Sequence, residues 1–169
     1  MCKVVRTVVV EGSHHIVEYA VRANGSSPAS EALDELKKGM WEDPDGDTFP
    51  DKRQVSDRDR LLSLVKELAD GYVLRRGSYN HLQDGMWELK VGPTRFTFYD
   101  TDGHGSSCTL LPDQFDDYRG KPRYEIPEEF GPIVRLGHVF SKSGEKAKKA
   151  DIKMALQVRE EDLSHDAHE

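Results

Sequence analysis

Two short alternating stretches of apolar and polar residues open the chain, two helical stripes follow, and further alternating stretches precede a final helix. Lys3 to Val10 is rich in Val and Thr and predicts a strand; Glu11-Gly12-Ser13 is a turn. From His14 to Ala23, Ile16, Glu18, Ala20 and Arg22 alternate with Val17, Tyr19 and Val21, which predicts a second strand and a hairpin closed at Asn24-Gly25. Ser27 then stands as an N-cap before Pro28, and Ala29, Ala32, Leu33 and Leu36 form an apolar stripe that ends at Gly39. A second helix is expected over residues 57–70, with Leu61, Leu64, Val65 and Leu68 at helical spacing and Gly71 beyond its end. Residues 72–81 read as a connector. Two strands follow around Gly92-Pro93, bracketed by Asp84-Gly85 and Asp102-Gly103.

The remainder is less regular. Residues 103–111 allow another strand, and 112–132 read as an insertion or long loop. Ile133 to Phe140 is the last strand, and a Ser/Gly turn leads to a final helix ending near Glu160. The order β-β-α-α-β-β-(β)-insertion-β-α is the α+β pattern. A single domain is expected over residues 1–163, carrying an acidic loop at 40–55 and an insertion at about 104–132, with a disordered tail at 164–169.

Composition narrows the functional classes. The formal net charge of -7 argues against binding bulk nucleic acid through the overall field, though it leaves room for a local basic patch. Two cysteines, Cys2 and Cys108, make no disulfide framework and point to a reducing cytoplasm. No apolar run is long enough to span a bilayer, and the N-terminus lacks the features of a signal peptide, so neither a membrane partner nor export is expected.

Candidate chemistry gathers on the hairpin. Alternation puts Trp87, Leu89 and Val91 on one face with Phe96 and Phe98 on the apolar side of the second strand. On the other face stand Met86, Glu88 and Lys90, with Arg95, Thr97 and Tyr99. Lys90 and Arg95 therefore come close across the hairpin, and with the Tyr99 hydroxyl they would form an anion site on an open sheet face. The plainer alternatives are a structural ion pair for Arg95 and, for Lys90, a surface pair with Glu88 or Asp100. His14 and His15 are strand neighbours pointing to opposite faces and cannot easily share a metal. Asp43, Asp45 and Asp47 resemble the start of a calcium loop, but Gln54 stands where the bidentate Glu is required.

Four pieces of the chain, in order, resemble the RelE/HigB-like toxins of bacterial toxin–antitoxin modules, in particular their phage-derived branch. They are Asn24 to Glu31 running into Leu33 and Leu36; the helix with Arg60, Leu61, Leu64 and Leu68; His81 to Lys90 followed by Arg95 to Tyr99; and Leu136 to Ser143 followed by Lys146, Lys149, Ile152 and Ala155. Asp84-Gly85-Met86-Trp87-Glu88-Leu89-Lys90 is the most specific. The resemblance implies a RelE-like twisted antiparallel sheet with two helices from the N-terminal half on one side, and a C-terminal helix. It implies a ribosome-dependent mRNA endoribonuclease, an mRNA interferase, in which the ribose 2′-OH attacks the adjacent phosphate without a metal or other cofactor. The partners it implies are mRNA on the ribosome and a cognate helix-turn-helix antitoxin.

On that reading Arg95 stabilises the phosphorane, and Lys90 holds the phosphate or serves in proton transfer. His138 is the natural proton shuttle, with Lys142 beside it at the end of the last strand. Arg75, Arg76, His81, Tyr99, Lys146 and Lys149 are the further RNA-binding candidates. The competing expectation is a RelE/ParE-fold phage or prophage protein without nuclease activity that inhibits a host protein, motivated by the acidic balance and the insertion.

Overall fold

The computed structural model describes residues 4–43, 50–108, 113–116, 122–127, 130–142 and 149–167. The fold is α+β. Six strands form a mixed sheet, ordered β1 (Val8–Glu11), β2 (Ile16–Tyr19), β8 (Ile133–Ser141), β5 (Thr94–Thr101), β4 (Met86–Val91) and β3 (Tyr79–Gln83). All neighbouring pairs are antiparallel except β2 with β8, which run parallel. The helices are α1 (Pro28–Lys38), α2 (Arg53–Ala69) and α3 (Lys149–Ala167). A separate hairpin, β6 (Asp113–Asp116) with β7 (Pro122–Glu125), lies within the expected insertion. Gly103 to Cys108 holds no strand, only one bridge between Thr101 and Ser107.

The main core lies between α1, α2 and one face of the sheet. Ala29, Ala32, Leu33 and Leu36 of α1 and Leu61, Val65 and Leu68 of α2 pack with Val17, Trp87, Leu89, Phe96, Phe98, Val134 and Leu136. The strand faces match the alternation in the sequence, since Trp87 pairs with Phe98 and Leu89 with Phe96. Gly39 closes α1 in the left-handed conformation at φ 69°, and its N–H donates to the Leu36 carbonyl. The described part of the insertion also joins this core: Tyr124 and Ile126 pack against it, and Phe130 meets Trp87 and Phe98 edge-on.

The opposite face is covered in part by α3. Ala155 and Val158 pack with Ala20, Met86 and Tyr99. Farther along α3 the same stripe continues with Asp162 and Asp166, both buried. Their partners come from elsewhere. Arg135 of β8, only 2% exposed, donates to Asp162 at 2.9 Å and Asp166 at 2.5 Å, and it pairs with Glu18 at 3.0 Å. Arg6 pairs with the same two aspartates. This network carries α3 to Ala167, so Ser164 to Ala167 are ordered helix where a disordered tail was expected.

A bulge links β5 and β8 at a point that matters below. Phe96 pairs with Val139 and Phe98 with Leu136, so Thr97 alone faces both Gly137 and His138. The extra residue reverses the alternation of β8. Leu136 and Val139 both face the main core, while Phe140 pairs with Arg95 on the other side. A Cβ on Gly137 would come within 3.2 Å of Thr97 Oγ1 and 3.6 Å of Val158, so glycine permits this close approach.

Candidate functional site: a basic cluster around a buried carboxylate

At one end of the sheet, on the face away from α1 and α2, Lys90 and Arg95 stand in register across the β4–β5 hairpin. The tight turn between them packs on α2: Gly92 adopts φ +56°, and an added Cβ there would lie 2.8 Å from the Asp57 carboxylate. Beyond the turn the Lys142 N–H donates to the Pro93 carbonyl at 2.9 Å, extending the β8 edge past the hairpin. Two residues after Phe140, Lys142 falls on the same face as Arg95.

These three cations converge on Glu88. Its side chain is fully buried, and Arg95 Nε lies 4.0 Å from its Oε1. Burial pushes the Glu88 carboxyl up, while Arg95, Lys142 and Lys90, in that order, pull it back down; Asn80 adds the smallest contribution. That contribution falls short of a full hydrogen bond, for both Glu88 oxygens and Arg95 Nε are buried without a hydrogen-bond partner. The Arg95 side chain is 13% exposed. Its Nη1 donates to the carbonyls of Gly92 at 2.8 Å and Thr94 at 3.2 Å. Burial lowers its pKa and Glu88 opposes that effect.

The bulge brings His138 to this face. Its ring stacks on Phe140 with centroids 5.7 Å apart, and Thr97 Oγ1 donates to its carbonyl at 2.8 Å. Its Nε2 is hydrogen-bonded to Asp151 of α3 at 3.3 Å. Burial lowers the His138 pKa, and Asp151 and Asp43 oppose the shift. Asp43 also accepts from Ser141 N at 2.7 Å, which ties the acidic loop to the end of β8. Asp45 and Asp47, the other members of the calcium-like run, lie outside the described residues.

The chain matches no family model, and no curated protein matches it.

The structure thus gathers Lys90, Arg95 and Lys142 around Glu88 and sets His138 on the same face. Arg75 and Arg76 are exposed, just before Ser78, whose carbonyl accepts the Lys90 N–H. Other candidates fall elsewhere. Tyr99 is fully buried under α3 and donates to Asp162 at 2.5 Å, so it is a core residue and not part of an open anion site. Alpha-helix 3 covers the face that was expected to be open there. His81 pairs with Trp87 on the opposite face and packs on Tyr124 at 5.0 Å. It accepts from Gly85 N at 3.3 Å, and burial lowers its pKa. Lys149 lines a different groove with Gln83, Ile152 and Lys153. Lys146 lies outside the described residues.

Thr97 and Asp151 are the parts that sequence reasoning left without a role, and Glu88 entered it only as a surface partner for Lys90, whereas it is buried. Alternation had already put Glu88 on the face of Lys90, and that was the available signal. The assembled groups can neutralise an anion with three cations and move a proton through an imidazole oriented by a carboxylate. Among the described residues, no group of three or more His, Cys, Asp or Glu is placed to hold a metal ion. Among them, too, no helix is long and apolar enough to cross a membrane.

Proposed function

We infer that this protein is a RelE/HigB-like toxin that cleaves mRNA on the ribosome in the cytoplasm and is held in check by a helix-turn-helix antitoxin. The observation that carries the reading is the convergence of Lys90, Arg95 and Lys142 on one side of the sheet, with His138 on the same face. In-line attack by a 2′-OH needs little more than this: charge to stabilise the phosphorane, and a group that exchanges a proton near neutral pH. Arg95 supplies the clamp, with Lys90 and Lys142 holding the non-bridging oxygens. His138 moves the proton, and Arg75 and Arg76 meet the RNA backbone. Induction in bacteria with mapping of RNA 5′ ends is the test. New ends within translated messages are expected from the wild type and not from Arg95→Ala; unchanged host messages in the wild type would sink the reading.

A second reading has its own observation. Tyr72 and Val73 are 68% and 91% exposed at the mouth of a cleft of about 440 Å³ lined by His14, His15 and Pro127. Adjacent apolar residues held so far into solvent suit a protein partner. On this reading the chain inhibits a host protein and cleaves nothing. Growth arrest that survives Arg95→Ala but is lost in a Tyr72→Ser/Val73→Ser double variant would favour it.

A further inference from the structure

Three orphaned polar atoms, both Glu88 oxygens and Arg95 Nε, lie together at a fully buried position. Such groups are costly and rarely left unpaired without a reason. Here they are the facing edges of an acid and a base held 4.0 Å apart, too far for a hydrogen bond. The other edge of Arg95 is fixed by the Gly92 and Thr94 carbonyls, so the guanidinium is aimed at Glu88 by the hairpin turn itself.

We propose that Glu88 is an internal counter-ion, a positioning residue that holds the charge of Arg95, Lys90 and Lys142 until a phosphodiester takes its place, and that it takes up a proton as the phosphodiester binds. The proposal rests on the reading of this cluster as a phosphate site. Every charged group seen to act on Glu88 is a cation: Arg95 from β5, Lys90 from its own strand and Lys142 from beyond β8, with the Asn80 amide from β3. These oppose the burial of the carboxylate, which on balance still raises its pKa. A bound phosphodiester claims the same cations and adds a negative charge beside Glu88. Two anions sharing one dry site cannot both stay ionised, and a phosphodiester is far the stronger acid, so Glu88 is the group that protonates. Protonation also releases Arg95 to the ligand, because a neutral carboxyl no longer holds the guanidinium.

Binding is therefore tighter at low pH, by up to about tenfold per unit for one linked proton. A short single-stranded oligodeoxynucleotide is a suitable probe, since it lacks the 2′-OH and survives the titration. Isothermal titration calorimetry in two buffers of different ionisation heat counts the protons taken up. The expected result is uptake approaching one proton by the wild type near neutral pH, none by Glu88→Gln, and an affinity in Glu88→Gln that is higher and flat with pH. Uptake that persists in Glu88→Gln but vanishes in His138→Asn would assign the proton to His138 and overturn the proposal. Wild-type binding without proton uptake would overturn it too, while leaving the phosphate site standing. No binding by wild type, with none by Glu88→Gln, removes the phosphate site and the proposal with it. The wild-type proton count stands even if the variant fails to fold.

Discussion

Arg135 of β8 and Asp162 of α3 meet at 2.9 Å with side chains 2% and 0% exposed. Asp162 is the hub of the contact between helix and sheet. It also accepts from Tyr99 at 2.5 Å, from the Val21 N–H at 2.8 Å, and from Arg6. Removing it takes the acceptor from a buried phenol and a buried backbone donor, and leaves Arg135 and Arg6 to share Asp166, with Glu18 beside Arg135. Asp162→Ala is expected to cost about 3–5 kcal/mol, the range for breaking a buried pair on one side. Urea unfolding followed by circular dichroism measures this; a loss below about 1 kcal/mol would mean that α3 is not anchored through Asp162.

Truncation after Leu163 tests the same network from its other acid. The deletion removes Asp166, which pairs with both Arg135 and Arg6. A disordered tail would be lost without consequence. The structure instead calls for destabilisation of about 2–4 kcal/mol, less than for Asp162 because Arg135 keeps Asp162 and Glu18. Thermal unfolding of the truncated chain reads it directly.

These two acids also show where the sequence stopped being legible. The core hairpin and α1 follow from alternation, capping and helical spacing, since burial there is apolar. In α3 the buried stripe reads Ala155, Val158, Asp162, Asp166. Its lower half looks like a solvated surface, because the arginines that satisfy it lie 27 to 160 positions away in sequence. The site was legible in part for a related reason. Lys90 and Arg95 are joined by a two-residue turn that local chemistry specifies. His138 reaches their face only through the Gly137–His138 bulge, and strict alternation along β8 would have turned it to the apolar side with Leu136. The presence of α3 over Tyr99, which closes a face expected to be open, is a tertiary fact that no local pattern carries.

His138 should titrate below the ordinary histidine value of about 6.5, since burial outweighs the help of Asp151 and Asp43. For such a base the neutral form is the one the fold prefers. Its contribution to stability is complete above the unfolded pKa and is lost as pH falls through the folded one. Asp151→Asn withdraws the charge that opposes burial. The His138 midpoint is expected to move farther down, followed by NMR of the imidazole protons, and acid destabilisation should then extend to lower pH. An upward shift, or none, would show that Asp151 does not orient this ring.

Gly137 offers a test of the bulge as the device that presents His138. A Cβ there would lie 3.2 Å from Thr97 Oγ1, the same hydroxyl that donates to the His138 carbonyl. Thr97 must give way, and the contact that fixes the backbone of His138 shifts with it. Gly137→Ala is expected to cost about 1–2 kcal/mol, a typical overpacking penalty. On the proposed nuclease reading, its effect on mRNA cleavage should be much larger than that loss implies. Displacing a proton-transfer group by about 1 Å commonly costs on the order of a hundredfold in rate. Cleavage per folded molecule, measured well below the unfolding transition, separates the two effects. A variant that is less stable but cleaves at the wild-type rate would show that His138 is held in place by Phe140 and Asp151 alone.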